Sequence, residues 1–270
     1  MKTEIPKFDT QKELFTWLRE NKEDLIYQKK SAIKYADSFI APVQLMVAID
    51  SVEKTAKLDA IEGQVLIRAI INTTMVRDSH KDVHIDGLWK KSLKENKMIK
   101  HLQEHEMSFK NIIADKGDLR AFTKKYDWKQ LGYDAEGKTE ALVFDSTVKE
   151  SRNPVMFKEY KAENVDNHSV GMQYVNLKLA LNSKDEDDKA EKETYDKYID
   201  DIVNKAEVKK EGFYFAVLEA KAIEGSAVPI GSNTITPTLT TSKALDEPTE
   251  DELKINAIKE WLLKPNKITS

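Results

Sequence analysis

Apolar residues recur at helical spacing near the start of the chain. Leu14, Trp17, Leu18, Leu25 and Ile26 stand among lysines and glutamates, a pattern that predicts an amphipathic helix from residue 10 to about 38. Thr10 suits the N-cap, and Glu13 three residues later completes a capping box. The exposed polar face marks this as a surface or partner-binding helix. Ala41-Pro42 ends it, and Val43 to Ile49 is a short apolar run that fits either element. The period then changes. Residues 64–71 are rich in β-branched side chains and predict a strand. Ala141 to Asp145, Ser169 to Leu181 and Phe213 to Ile223 predict three more, the last with Phe213, Phe215 and Val217 alternating. Between the strands, Asp86 is placed to cap a helix carrying Leu88, Trp89, Leu93 and Met98. Pro154 suits the first turn of another that runs to Tyr160. Trp17, Trp89, Trp128 and Trp261 read as packing residues.

Residues 184–211 form a charge-dense block in which Tyr195, Tyr198, Ile199, Ile202 and Val203 carry weak helical periodicity. The block reads as an exposed helical insertion between two strands, or as a charged loop. From Gly231 the composition turns to Ser, Thr and Pro, as in a linker. A last amphipathic helix follows, up to about Leu263, with Thr249 as N-cap and Glu252 as its partner. The organisation expected is therefore a helical N-terminal extension over 1–58 and an α+β body over 59–235 that contains the 184–211 insertion. A linker and C-terminal helix then occupy 236–270.

Composition narrows the function classes. Of 270 residues, 40% are hydrophobic and 33% charged, and the net charge is -4, so no basic surface for nucleic acid is expected. The absence of cysteine removes disulfides, a thiol nucleophile and Cys-ligated zinc. Met1 to Lys7 lacks a signal-peptide apolar stretch, and no window approaches the ~20 apolar residues of a membrane span. A soluble, cytoplasmic protein that does not meet a membrane is expected.

Ser169, in Asn167-His168-Ser169-Val170-Gly171-Met172, is the candidate nucleophile. A serine hydroxyl needs a base within hydrogen-bond reach and a third group to orient that base. Gly171 two residues on lets a backbone approach. His105 can supply the imidazole, and Glu224, near a strand end, can hold its tautomer. His101 is a rival base, and Glu219 a substitute acid. His168 lies beside the serine, but neighbouring strand residues point to opposite faces. A zinc reading stays open, because His80 and His84, like His101 and His105, are four apart and would share a face on a helix. Neither pair carries the Glu of a His-Glu-x-x-His motif.

Four blocks in order carry a resemblance. Asp78 to Trp89 is similar to the opening motif of tailed-phage prohead maturation proteases. Leu102-Gln103-Glu104-His105-Glu106 resembles their "L-x-x-H-D" base motif. His168-Ser169-Val170-Gly171-Met172 resembles their "L-S-I-G-F" nucleophile motif, and Ile223 to Pro229 their "L-E-V-S-L-V-P" block, with Ser232-Asn233 near the usual "A-N". Lys81 stands where the family often has Gly, and His168 where an apolar residue is usual. The resemblance spans residues 64–235 and implies a serine endopeptidase related to the herpesvirus assemblins. That fold is a compact, mostly antiparallel β-barrel flanked by helices. Ser169 would be nucleophile, His105 general base and acid, and Glu224 the third member, with no cofactor. The implied partners are the major capsid protein and scaffold protein as substrates, with self-association and self-cleavage. The implied location is the host cytoplasm, inside the assembling prohead. Two alternatives stand beside it: a non-catalytic assembly or scaffolding protein with the same fold, and a metal-dependent hydrolase.

Overall fold

The computed structural model describes residues 5–33, 61–231 and 235–241. The apolar run Val43 to Ile49, Ser232-Asn233 and the C-terminal helix expected after Thr249 lie outside them. Helices α1 (Gln11–Glu20) and α2 (Lys22–Ser31) occupy the region where one helix was expected. Thr10 and Glu13 form the capping box. The break is local: the Asn21 side-chain amide donates to the Trp17 carbonyl at 2.9 Å, closing the α1 ladder one residue before α2 begins. These helices dock on the chain's own body rather than presenting a free face. Phe15, Leu18 and Leu25 are buried in the main core, and Lys29 reaches the buried carboxylate of Asp82 at 2.5 Å.

The class is α+β. Among the described residues nine strands follow in order: β1 (Gln64–Thr73), β2 (Asp82–His84), β3 (Lys100–Gln103), β4 (Ile112–Ala114), β5 (Leu119–Asp127), β6 (Lys138–Lys149), β7 (His168–Leu181), β8 (Phe213–Ala227) and β9 (Thr238–Thr241). One sheet is antiparallel, in the order β5-β6-β1-β9. The other is mixed and built on β8. Strand β7 runs antiparallel along one edge of β8, while β2 and then β3 pair parallel with successive parts of its other edge, and β4 joins β3. Among the described residues no backbone ladder joins the two sheets into a closed barrel.

The sheets pack face to face. A Cβ on Gly225 of β8 would lie 2.5 Å from Phe144 of β6 and 2.8 Å from Ile71 of β1, so this glycine permits the close approach. The opposite faces are covered too, and a second apolar cluster gathers Ile70, Val143, Tyr195, Ile202, Tyr214 and Ala216. Residues 213–217 are therefore all buried, and the alternation expected there gives way to the continuous apolar run of a strand covered on both faces.

Four more helices of the described residues fill the remaining gaps: α3 (Lys90–Glu95), α4 (Pro154–Lys161) and the pair α5 (Lys189–Tyr198) and α6 (Lys205–Glu211). Asn153 caps α4 through the Met156 N–H, with Pro154 in the first turn. Asp86 does not cap α3, which begins at Lys90. Its carboxylate accepts instead from the Thr74 hydroxyl at 2.6 Å. The 184–211 block is helical, but it is not an exposed appendage: Tyr195, Ile199, Ile202 and Val208 are buried. The Ser-Thr-Pro stretch expected as linker contributes β9, paired to β1.

Candidate active site

The β7–β8 ladder sets the site. Ser169 pairs with Ser226 and Gly171 with Glu224, with no register shift between the two pairs. Directly opposed residues share a face, as do residues two apart. Ser169, Gly171, Glu224 and Ser226 therefore form one patch. Gly171 does more than admit a backbone: a Cβ there would lie 2.0 Å from Glu224 Oε1, so the missing side chain is the space the carboxylate fills.

His105 arrives from the turn after β3. The Glu106 N–H donates to the Gln103 carbonyl at 3.0 Å, and the two central residues, Glu104 and His105, have φ of 54° and 60°. Both lie in the left-handed region, as in a type I′ turn, without a glycine. Two backbone anchors hold the turn on β8. Glu104 N–H donates to the Ala227 carbonyl at 2.9 Å, and His105 N–H donates to Ser226 Oγ at 3.1 Å. The ring then meets Glu224, with Nδ1 to Oε1 at 2.6 Å. The other carboxylate oxygen accepts the Ser226 hydroxyl at 2.6 Å. Glu224 is fully buried and the His105 side chain 14% exposed. Ser169 is 4% exposed, and its Oγ has no hydrogen-bond partner among the described residues.

The structure thus brings His105 and Glu224 into contact across 119 residues of sequence and sets Ser169 beside the serine that anchors the histidine. Such a cluster can hold one imidazole tautomer and transfer a proton near a hydroxyl. Sequence reasoning missed Ser226. The signal was the spacing Glu224-x-Ser226, which puts both side chains on one strand face. Glu219 lies further along β8, paired with Lys91 at 3.2 Å.

The other histidines are placed elsewhere. His101 pairs with Gly225 in the β3–β8 ladder and so faces the opposite sheet. It meets Ser146 Oγ through Nδ1 at 2.9 Å and the Tyr160 hydroxyl through Nε2 at 3.3 Å. His168 shares that interior, with Nε2 3.0 Å from the Tyr160 hydroxyl and Nδ1 3.0 Å from the Thr236 carbonyl. A carbonyl only accepts, so His168 Nδ1 carries its proton, and one direction of donation satisfies the whole chain: Ser146 to His101 to Tyr160 to His168 to Thr236. Both rings are neutral in that arrangement. Burial pushes the His101 pKa well below its ordinary value, with repulsion from His168 adding to it, and lowers that of His168 to about 4. The Tyr160 hydroxyl is pushed well above the usual range, also by burial.

The four-residue spacings do not make metal pairs. Residues 80–84 form a turn and strand, not a helix, and His84 is engaged by Asn72 and the Tyr174 hydroxyl. His101 and His105 serve opposite sides of the β8 sheet. Among the described residues no group of three or more His, Asp or Glu side chains is arranged to hold a metal ion. No helix among them is long and apolar enough to cross a membrane. Comparison with protein-family models, curated proteins and solved structures finds no match to this chain.

Proposed function

We propose that the chain is a serine endopeptidase of the prohead-maturation type, with Ser169 as nucleophile, His105 as general base and acid, and Glu224 as the group that orients His105. The observation that carries the reading is the 2.6 Å bond between His105 Nδ1 and the buried Glu224 carboxylate, made on the strand face that also presents Ser169. With Nδ1 committed to Glu224, Nε2 is the nitrogen left for proton exchange with a serine hydroxyl. The carboxylate fixes the tautomer and stabilises the imidazolium formed as Ser169 attacks a peptide carbonyl. The ring then returns the proton to the leaving amine, and water repeats the sequence on the acyl-enzyme.

One detail supports the resemblance. Lys81, where the resembled motif has glycine, has φ of 64°, a conformation glycine adopts without strain. The Thr236 hydroxyl accepts from His168 N–H and donates to the His168 carbonyl, so a side chain ties the start of β7 to the segment entering β9 of the other sheet. A compact barrel of the assemblin kind belongs to the same proposal. So do capsid and scaffold proteins as substrates, self-association, and action in the host cytoplasm within an assembling shell.

The test is incubation with an alkyl fluorophosphonate, followed by intact-mass measurement of wild type and Ser169→Ala. A single adduct on wild type that disappears in the variant supports the reading, and equal behaviour of the two sinks it. Co-expression with a capsid protein then shows whether site-specific fragments vanish in Ser169→Ala. The burial of Ser169 Oγ favours a second reading, an assembly protein that keeps the fold without turnover. It predicts no adduct and identical fragment patterns.

A further inference from the structure

The geometry points to Ser226 as a positioning residue that holds His105 and Glu224 in register as one unit. The role rests on the peptidase reading above and adds to it a fourth residue. The Ser226 hydroxyl donates to Glu224 Oε2 at 2.6 Å while its oxygen accepts the backbone N–H of His105 at 3.1 Å. The histidine is therefore gripped twice. Its ring is held by one carboxylate oxygen, and its backbone by the hydroxyl that is bonded to the other.

The double grip answers two physical problems at this spot. Glu104 and His105 both sit at positive φ without being glycine. Such residues persist only where their surroundings over-determine them, and the Ser226 hydroxyl supplies one of the two bonds that hold the backbone of this turn on β8. Glu224 is a fully buried carboxylate, and a buried acceptor with an unfilled oxygen is costly. Ser226 fills that oxygen and fixes the plane of the carboxylate, hence the direction from which Oε1 meets the ring. Ser226 also stands opposite Ser169 in the ladder. One strand position thereby relates the serine face to the histidine turn. At metal sites, outer partners that orient the acting groups typically contribute 10–100-fold to activity, and the same order is expected of Ser226.

The experiment compares Ser226→Ala, Ser226→Thr and wild type by two readouts. The first is the rate of modification by an alkyl fluorophosphonate, with Ser169→Ala as blank. The second is the proton resonance on His105 Nδ1, recorded by NMR with ring-labelled histidine in folded protein. Expected is a labelling rate 10–100-fold lower in Ser226→Ala, recovery of most of it in Ser226→Thr, and a displaced or lost Nδ1 proton signal in the alanine variant alone. A wild-type rate with an unmoved Nδ1 signal in folded Ser226→Ala overturns the role while leaving Ser169 as nucleophile. Should wild type itself fail to react, the peptidase reading falls and the Nδ1 signal decides alone. A shift in Ser226→Ala upholds the grip, and an unchanged signal overturns it. Should the alanine variant fail to fold, Ser226→Cys, close in size and a weak donor, takes its place, and wild-type behaviour in both readouts again overturns the proposal.

Discussion

Gly171 faces Glu224 across the β7–β8 ladder, and a methyl group there would lie 2.0 Å from the oxygen that holds His105 and 2.8 Å from the carboxylate carbon. The space cannot be shared, so Gly171→Ala must turn the carboxylate away from the imidazole. Expected is a stability loss of about 1–3 kcal/mol from overpacking, read by urea denaturation, together with loss of fluorophosphonate labelling. Normal labelling in a folded variant would show that the His105–Glu224 contact is dispensable. Glu224→Gln probes charge rather than space. The amide oxygen can still accept the Nδ1 proton but no longer offsets the charge of an imidazolium. The labelling rate should fall about 10²- to 10⁴-fold, with near-UV circular dichroism unchanged.

Helices α5 and α6 show what an element can hide in its composition. Charge dominates their sequence, yet Ile202, in the turn that joins them, is 1% exposed and packs in the cluster with Tyr214 and Ala216 of β8. Ile202→Ala should cost about 2–5 kcal/mol by urea denaturation. A truly solvated insertion would lose under about 0.5 kcal/mol. The long strands β1, β6, β7 and β8 were legible because β-branched and apolar runs persist over many residues. β3 and β4 were not: each has three or four residues, too few to show a period, and β3 exists because β8, more than a hundred residues later, accepts it. β5 escaped notice because most of it is half-buried or exposed, which leaves no contrast between its faces. For the site, residue types and chain order suggested Ser169, His105 and Glu224. The part played by Ser226 comes from strand register, which sequence does not display. The preference for His105 over His101 acquires a physical basis only once β3 sets one ring inside the sandwich and the turn carries the other to the opposite side.

Across the whole molecule, the neutral histidine pair between the sheets sets a response to acid. The folded pKa of His168, about 4, lies below its ordinary value of 6.5. The unfolded chain thus binds the proton first as pH falls, and stability is lost from about 6.5 downward until the folded value is passed. For His168 alone the loss between pH 7 and pH 4 is about 3 kcal/mol, and His101, depressed in the same direction, adds to it. Urea midpoints measured across that range should fall accordingly. His168→Asn, which can keep a donor toward the Thr236 carbonyl, should flatten the curve, and an equally steep curve in that variant would assign the acid response to other groups.

Strand β8 touches every part of the candidate site, and it leaves the ribosome after β1 to β7. A nascent chain that has reached residue 200 carries the nucleophile and the imidazole but neither Glu224 nor Ser226. Any chemistry this cluster performs is therefore postponed by the order of synthesis itself, and truncated translation products would be born inert.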